Sequence, residues 1–260
     1  MADWLTVQYD PVTLFSLRMT HATSKGGKTL LVPTPYVIKM ALLDACFRQF
    51  GVGYAMTMAQ RVFDTIKGRP IHFNPPEHCV VENTFLKILD HARKEKAAGG
   101  EEAADAGDSP AVQGPFKQTI AYREFVFLSG PLTVALGATG LDSDTLQLLA
   151  NLFAHINSFG KRGGFWQFRS HELLHGELPA EFTVPRPQAT PQQILTHGVT
   201  QALDDFGPAL VAAKDGFDRV STYGGGTIKL GEHRVLTLTA LPYRRQLAGR
   251  AFTWYTKTAG

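Results

Sequence analysis

Four stretches of the 260-residue chain combine side chains that could do chemistry. The sharpest is His171-Glu172-Leu173-Leu174-His175, an H-E-x-x-H spacing. On a helix this spacing puts both imidazoles on one face for zinc, with the glutamate as general base. The surroundings suit such a helix poorly. Arg169 and Glu177 bring charge where a buried helix needs apolar side chains, and Gly176 and Pro179 cut it short. Leu178 stands where the longer metalloprotease pattern has its glycine. A third ligand would have to be Glu177, Glu181 or the distant His197. A zinc-dependent hydrolase is therefore kept as an alternative, and no metal is expected.

The other three stretches suit a polyanion. In Ser24-Lys25-Gly26-Gly27-Lys28 two lysines flank two glycines, so ammonium groups and backbone amides could approach a phosphate together. A helix starting at Pro35 would add its positive end. This is not a phosphate-binding P-loop, because the leading glycine is missing and Lys28-Thr29 runs into Leu-Leu-Val-Pro. A plain solvated turn is the other reading. Gly160-Lys161-Arg162-Gly163-Gly164-Phe165-Trp166, extended by Arg169, interleaves cations with rings on which bases stack. One of Phe165 and Trp166 belongs in the core, since neighbours on a strand alternate faces. Residues 243–257 carry Arg244, Arg245, Arg250 and Lys257 among Phe252, Trp254 and Tyr255, with no acid. His21, near Lys25 and Lys28, could act on a ribose if Tyr122 or Tyr36 lay close, which would make a metal-independent endoribonuclease. The sequence holds no G-x-S-x-G, no C-x-x-C and no dinucleotide fingerprint.

The elements that must position these groups follow from periodicity and punctuation. Residues 4–19 read as a strand broken near Pro11. Thr34 and Pro35 mark the start of a helix ending near Gly51, with Val37, Ile38, Ala41, Leu42 and Ala45 at helical spacing. A second helix is expected at 57–66, turns at 68–76 and a third helix at 82–96, where Phe85, Ile88, Leu89 and Ala92 would share a face. Residues 97–114, rich in Ala, Gly and acids, cannot bury enough apolar surface to order themselves and read as a mobile insertion. Residues 118–128 form a strand with 131–136 as hairpin partner. A helix capped near Asp142 runs to about Ile156 and stops at Gly160. Extended structure is expected at 165–168, a connector at 179–191, and short strands at 219–223, 227–230, 234–241 and 251–257. Gly231-Glu232 reads as a tight turn and 224–226 as a flexible loop. The order through the first two thirds is close to β-α-β-β-α-β.

Composition bounds the function class. With 44% hydrophobic and 19% charged residues the chain is globular. The net charge of +3 hides an asymmetry: setting aside Glu101, Glu102, Asp105 and Asp108 leaves about +7 on the remainder. Such a body suits an anionic partner. Cys46 and Cys79 are expected as two buried thiols, because no export signal precedes them. No apolar run reaches membrane-spanning length, so a soluble cytoplasmic protein is expected.

Leu14 to Ala45, LFSLRMTHATSKGGKTLLVPTPYVIKMALLDA, resembles the N-terminal region of the CRISPR-associated RAMP subunit that caps the guide-RNA 5-prime handle in type I Cascade, the fifth Cas family. Pro33-Thr34-Pro35 and the small apolar helix face fill that family's places. Tyr122 to Leu128 and the helix ending in Gly-Lys-Arg-Gly-Gly-Phe are similar to its second half. The resemblance implies an α+β fold: a ferredoxin-like, RRM-like modified RAMP core over 1–178, with a thumb inserted at 68–116 and a β-rich C-terminal extension over 179–260. It implies guide RNA (crRNA) as ligand, other Cascade backbone and large subunits as neighbours, target DNA reached through the complex, no membrane, no cofactor and no catalysis. The positions expected to meet RNA are Arg18, His21, Lys25, Lys28, Lys39, Arg48, Lys161, Arg162, Phe165, Trp166, Arg169, Arg244 and Arg245.

Overall fold

A computed structural model describes residues 2–20, 26–91, 116–160 and 164–258. The insertion 97–114 and the candidates His21, Lys25, Lys161 and Arg162 lie outside the described residues.

The chain opens with β1 (Asp3–Pro11), β2 (Leu17–Arg18), β3 (Gly26–Gly27) and β4 (Thr29–Leu30), followed by α1 (Pro35–Gln49) and α2 (Val52–Ile66). Next come β5 (Ile71–Asn74), β6 (His78–His91), β7 (Phe116–Leu128), β8 (Leu132–Gly137), α3 (Ser143–Ala154) and β9 (Trp166–His175). The last third holds β10 (Val184–Pro185), a 3-10 turn (Arg186–Gln188), α4 (Pro191–Thr196), β11 (Val199–Phe206), α5 (Pro208–Ala212), α6 (Gly216–Val220), β12 (Arg234–Leu241), β13 (Tyr243–Ala248) and β14 (Phe252–Lys257).

The long helices begin where their caps dictate. The Thr34 hydroxyl accepts from the Val37 amide at 3.2 Å, and Pro35 supplies a first turn that needs no N–H. Asp142 accepts from the Thr145 amide at 2.7 Å and starts α3. Ile38, Leu42, Ala45 and Cys46 of α1 meet Leu149, Leu152 and Phe153 of α3 in one core. The fold is mixed α/β with mainly antiparallel sheets. A four-stranded antiparallel sheet runs β5-β8-β1-β9, a five-stranded sheet β13-β14-β6-β7-β3, and a three-stranded sheet β10-β12-β11. Both cysteines are buried and free, and burial pushes the Cys46 thiol up to about 12. Among the described residues no helix is long and apolar enough to cross a membrane.

Several expected elements are replaced. Of the helix expected at 82–96, the described part, 82–91, is the strand β6, paired with β7 from Cys79↔Leu128 to His91↔Phe116. Apolar side chains at 85, 88 and 89 fit either period, and a long facing strand decides between them. β8 does not pair with β7. Its almost wholly buried run sits between β1 and β5, where a strand needs apolar side chains on both faces. Of the strand expected at 219–223, the first two residues end α6, where Arg219 reaches Asp215 one turn back at 2.6 Å, and 221–223 form the turn that follows. Gly224 and Gly226 pack tightly against that helix, with Gly225 open between them: a Cβ on Gly224 would lie 2.0 Å from the Asp218 carbonyl oxygen. At 227–230 only Leu230 pairs, in an isolated bridge to Arg234. Gly231, at φ 87°, makes the expected tight turn.

Lys39 is corrected outright. Its side chain is 1% exposed, so it cannot meet RNA. Its ammonium donates to Asp205 at 2.7 Å and to the Lys67 carbonyl at 3.3 Å, and lies 5.2 Å from the Phe206 ring centre. Beside it, Arg234 pairs with buried Asp204 and stacks 4.2 Å over Tyr36. These contacts tie α1 to β11 and β12. Burial lowers Lys39 below the ordinary lysine value and raises Asp205 above the carboxylate value, each opposed by the other's charge. Removing one partner strands the other in a poorly solvated site. Lys39→Ala is expected to lower unfolding free energy by about 3 kcal/mol in urea titration. Lys39→Met with Asp205→Leu is expected to recover most of that, and a loss below about 1 kcal/mol for Lys39→Ala would show the pair to be idle.

Two imidazoles, His197 buried and His72 half-buried, hold the connector after β9. His72 Nδ1 lies 2.8 Å from the Thr183 carbonyl oxygen and His197 Nε2 lies 3.0 Å from that of Phe182. Burial lowers both below the ordinary histidine value, against the pull of those carbonyls. The unfolded chain therefore takes up protons that the folded imidazoles refuse. Stability is complete above about pH 6.5 and falls as pH drops from there toward the depressed folded values. Urea midpoints at about pH 7.5 and about pH 5.5 should differ in the parent chain, and the difference should shrink in a His72→Gln, His197→Gln variant.

Candidate nucleic-acid interface

The five-stranded sheet gathers groups that are far apart in sequence. β3 adds to β7 in parallel, with Gly26 opposite Tyr122 and Gly27 opposite Arg123. The strands come so close that a Cβ on Gly27 would lie 2.3 Å from the Tyr122 carbonyl oxygen. Gly27 is thus required by strand contact and not, as its motif suggested, by approach to a phosphate. The pairing delivers Lys28 to Glu124. Lys28 Nζ donates to Oε1 at 2.6 Å while the Thr29 amide donates to Oε2 at 2.9 Å. Glu124 is buried, whereas the Lys28 side chain is 65% exposed.

Three rings surround this pair. The Tyr122 hydroxyl lies 3.5 Å from Glu124 Oε1, and Phe85, across the ladder, meets Tyr122 edge-on at 5.6 Å. From the opposite flank β14 brings Tyr255, and β13 sets Arg245 across from it. The hydrogen bond from Lys28 to Glu124 raises the lysine above its ordinary value, so Lys28 stays a cation and is a poor base. Burial raises Tyr255 first, with Cys79 and Glu124 adding to it and Arg245 and Lys28 opposing. Tyr122 is raised by burial and by Glu124. Lys28 and Arg245 therefore act on one phenol although most of the chain separates them. Exposed cations beside flat rings can hold phosphates and stack bases.

The remaining candidates are dispersed. Arg18 is exposed on β2 opposite Thr29, next to Lys28. Arg244 is exposed on β13 but alternates to the other sheet face. Arg48 pairs with Asp44 on α1 at 2.8 Å, and Arg169 with Asp10 at 3.2 Å at the edge of the other sheet. Phe165 is half exposed. Trp166 is a correction as an RNA contact: it is buried between Phe15 and Phe159, at 4.8 and 5.3 Å. The His-Glu-Leu-Leu-His run is also not what its spacing suggested. It lies on β9, where positions four apart are about 13 Å distant, and His175 bonds Asp3 at 2.6 Å. Among the described residues no three His, Cys, Asp or Glu side chains could hold a metal. Glu124 and Phe85 were missed. The sequence carried no signal for either, since strand register alone brings Glu124 to Lys28 and Phe85 to Tyr122.

No protein-family model matches the chain. A curated protein of Archaeoglobus fulgidus, CRISPR-associated protein Cas5, is 23% identical to it over 140 residues, 54% of this chain and 54% of that protein. The match thus spans about half the length of that relative. A solved structure of a CRISPR protein from Archaeoglobus fulgidus aligns with 100% of this chain and 93% of its own, at 10% identity and a TM-score of 0.42. The likeness to the fifth Cas family drawn from Leu14 to Ala45 is accordingly met by a relative carrying that family's name.

Gly27→Ala is expected to lower stability by about 1–3 kcal/mol, because the added methyl must push β3 off β7. Gly53→Ala, on α2 with open space around its Cβ, should raise it by up to about 1 kcal/mol. Thermal unfolding of the two variants separates a close-approach glycine from an incidental one.

Proposed function

We propose that this chain is a non-catalytic RNA-binding subunit of a CRISPR Cascade-type complex, holding the 5-prime handle of the guide RNA and capping the complex's backbone. The observation that carries the reading is the convergence of Lys28, Arg245, Tyr122, Tyr255 and Phe85 on one side of the five-stranded sheet. The curated relative's name supports it. The strand order β5-β8-β1-β9, built from β-α-β-β-α-β segments, supports a ferredoxin-like, RRM-like core. On this reading the insertion 68–116 is the thumb, with β6 in its described part, and residues 179–260 are an extension whose β14 pairs with β6 and whose β13 pairs with β14. Its partners would be crRNA, the neighbouring Cascade subunits and, through them, target DNA, all in the cytoplasm.

Lys28 is held as a cation by Glu124, so it serves attraction and not proton transfer. Lys28→Glu and Arg245→Glu should each weaken binding of a repeat-derived RNA handle by roughly tenfold and flatten its salt dependence by about 0.7 in the log–log slope per lost phosphate contact. Fluorescence anisotropy across a salt series measures both. Affinity indifferent to both substitutions would sink the reading, and cleavage of the RNA in EDTA would shift it to an endoribonuclease.

A further inference from the structure

The five-stranded sheet has a second face. Cys79, Val81 and Val126 point into the core, so their strand neighbours point outward. Across β13, β14, β6 and β7 the register aligns Leu247, Trp254, Val80 and Phe127 in one row. A second row holds Phe252, Glu82 and Phe125. Phe127 is 50% exposed, and Leu247 and Phe252 are also open to solvent. Exposed rings in adjacent rows, on rigid strands, are a surface with an unmet contact.

Charge indicates what makes that contact. β13 is an outermost strand, so consecutive Arg244 and Arg245 turn to opposite faces. Arg245 joins Tyr255 on the inner side, while Arg244 stands across from Thr256 on the outer side. Arg244 borders a groove of about 400 Å³ whose lining includes Thr196, Gln246 and Thr256, with no acid among the described residues. Hydroxyl, amide and guanidinium donors without a carboxylate suit a phosphate. Arg123, opposite Thr84, lies beyond Phe125 at the other end of the face. Among the described residues neither Arg244 nor Arg123 has an ion-pair partner. Glu82, between Phe252 and Phe125, is the acid of these two rows, and the row of Trp254 and Phe127 holds none. Rings with a cation at either end of the face match a strand with a charged backbone and flat bases, and match an apolar protein surface poorly.

We propose that one RNA strand bound on the inner face turns around the β13 edge between Arg245 and Arg244 and stacks bases on Trp254 and Phe127. This rests on the reading of the chain as an RNA-binding subunit and extends the length of RNA it holds. The test uses the full chain with oligouridines of about five and about fifteen nucleotides, within the range one such module covers. Phe127→Ser should weaken the long RNA by roughly tenfold and leave the short one unchanged. Arg244→Glu should likewise weaken the long RNA. Ultraviolet crosslinks from the long RNA should fall on the peptides containing Phe127 and Trp254. The proposal is overturned if both variants bind the long RNA like the parent while Lys28→Glu still weakens it, since the strand then stays on the inner face. It is equally overturned if Phe127→Ser instead dissolves a concentration-dependent dimer, which would make the face a protein contact. Indifference of Lys28→Glu as well would refute the underlying reading itself.

Discussion

Pairing between β6 and β7 is the constraint on which the five-stranded sheet depends. The ladder runs from Cys79↔Leu128 out to His91↔Phe116, and Cys79, Val81, Val126 and Leu128 at its root are packed in the core. β7 carries β3 on its free edge, and β6 carries β14 and then β13 on its own. A residue near the start of the chain and one near its end thereby reach a common phenol. A slip of one residue would send Tyr122 and Glu124 to the outer face and bring Arg123 and Phe125 inward, because side chains alternate with a period of two. Lys28 would then lose its carboxylate.

The other fixed point is the stretch that leaves the ladder. The Gln201 side chain accepts from the Leu31 amide at 2.9 Å and donates to the Thr29 carbonyl at 3.3 Å, so β11 grips the chain just past Lys28. β11 is held in turn by Asp204 and Asp205, which take Arg234 and Lys39. The position of an exposed lysine thus depends on a buried amide and on two buried ion pairs, and the C-terminal strands support the N-terminal site.

Local signals made much of the fold legible. Thr34-Pro35 and Asp142 act at the very ends where caps are needed, and the alternation of 118–128 is that of a strand. What a single segment could not reveal was its partner. Phe85, Ile88 and Leu89 satisfy a helical period until a facing strand claims them, and β8 reads as a hairpin arm until its doubly buried run is seen between two other strands. β11 was hidden by Asp204-Asp205, which resemble a loop because charge pairing with Lys39 and Arg234 cannot be read from spacing. The site was half legible for the same reason. Lys28 and Arg245 are visible as basic positions, whereas Glu124, which orients the first, and Phe85, which flanks it, acquire meaning only from register. Alternation did separate Phe165 from Trp166, and helical periodicity alone could not reveal that Lys39 faces inward.

The bulge in β13 has a further effect. Register shifts between Arg245 and Leu247, leaving Gln246 without a counterpart on β14. An outermost strand with regular spacing invites another chain to zip onto it, which is how sheets grow into aggregates. An extra residue bends that border, and a guanidinium group beside it on each face repels a like-charged copy. The rim of the sheet is therefore poorly shaped to take on a second β-strand.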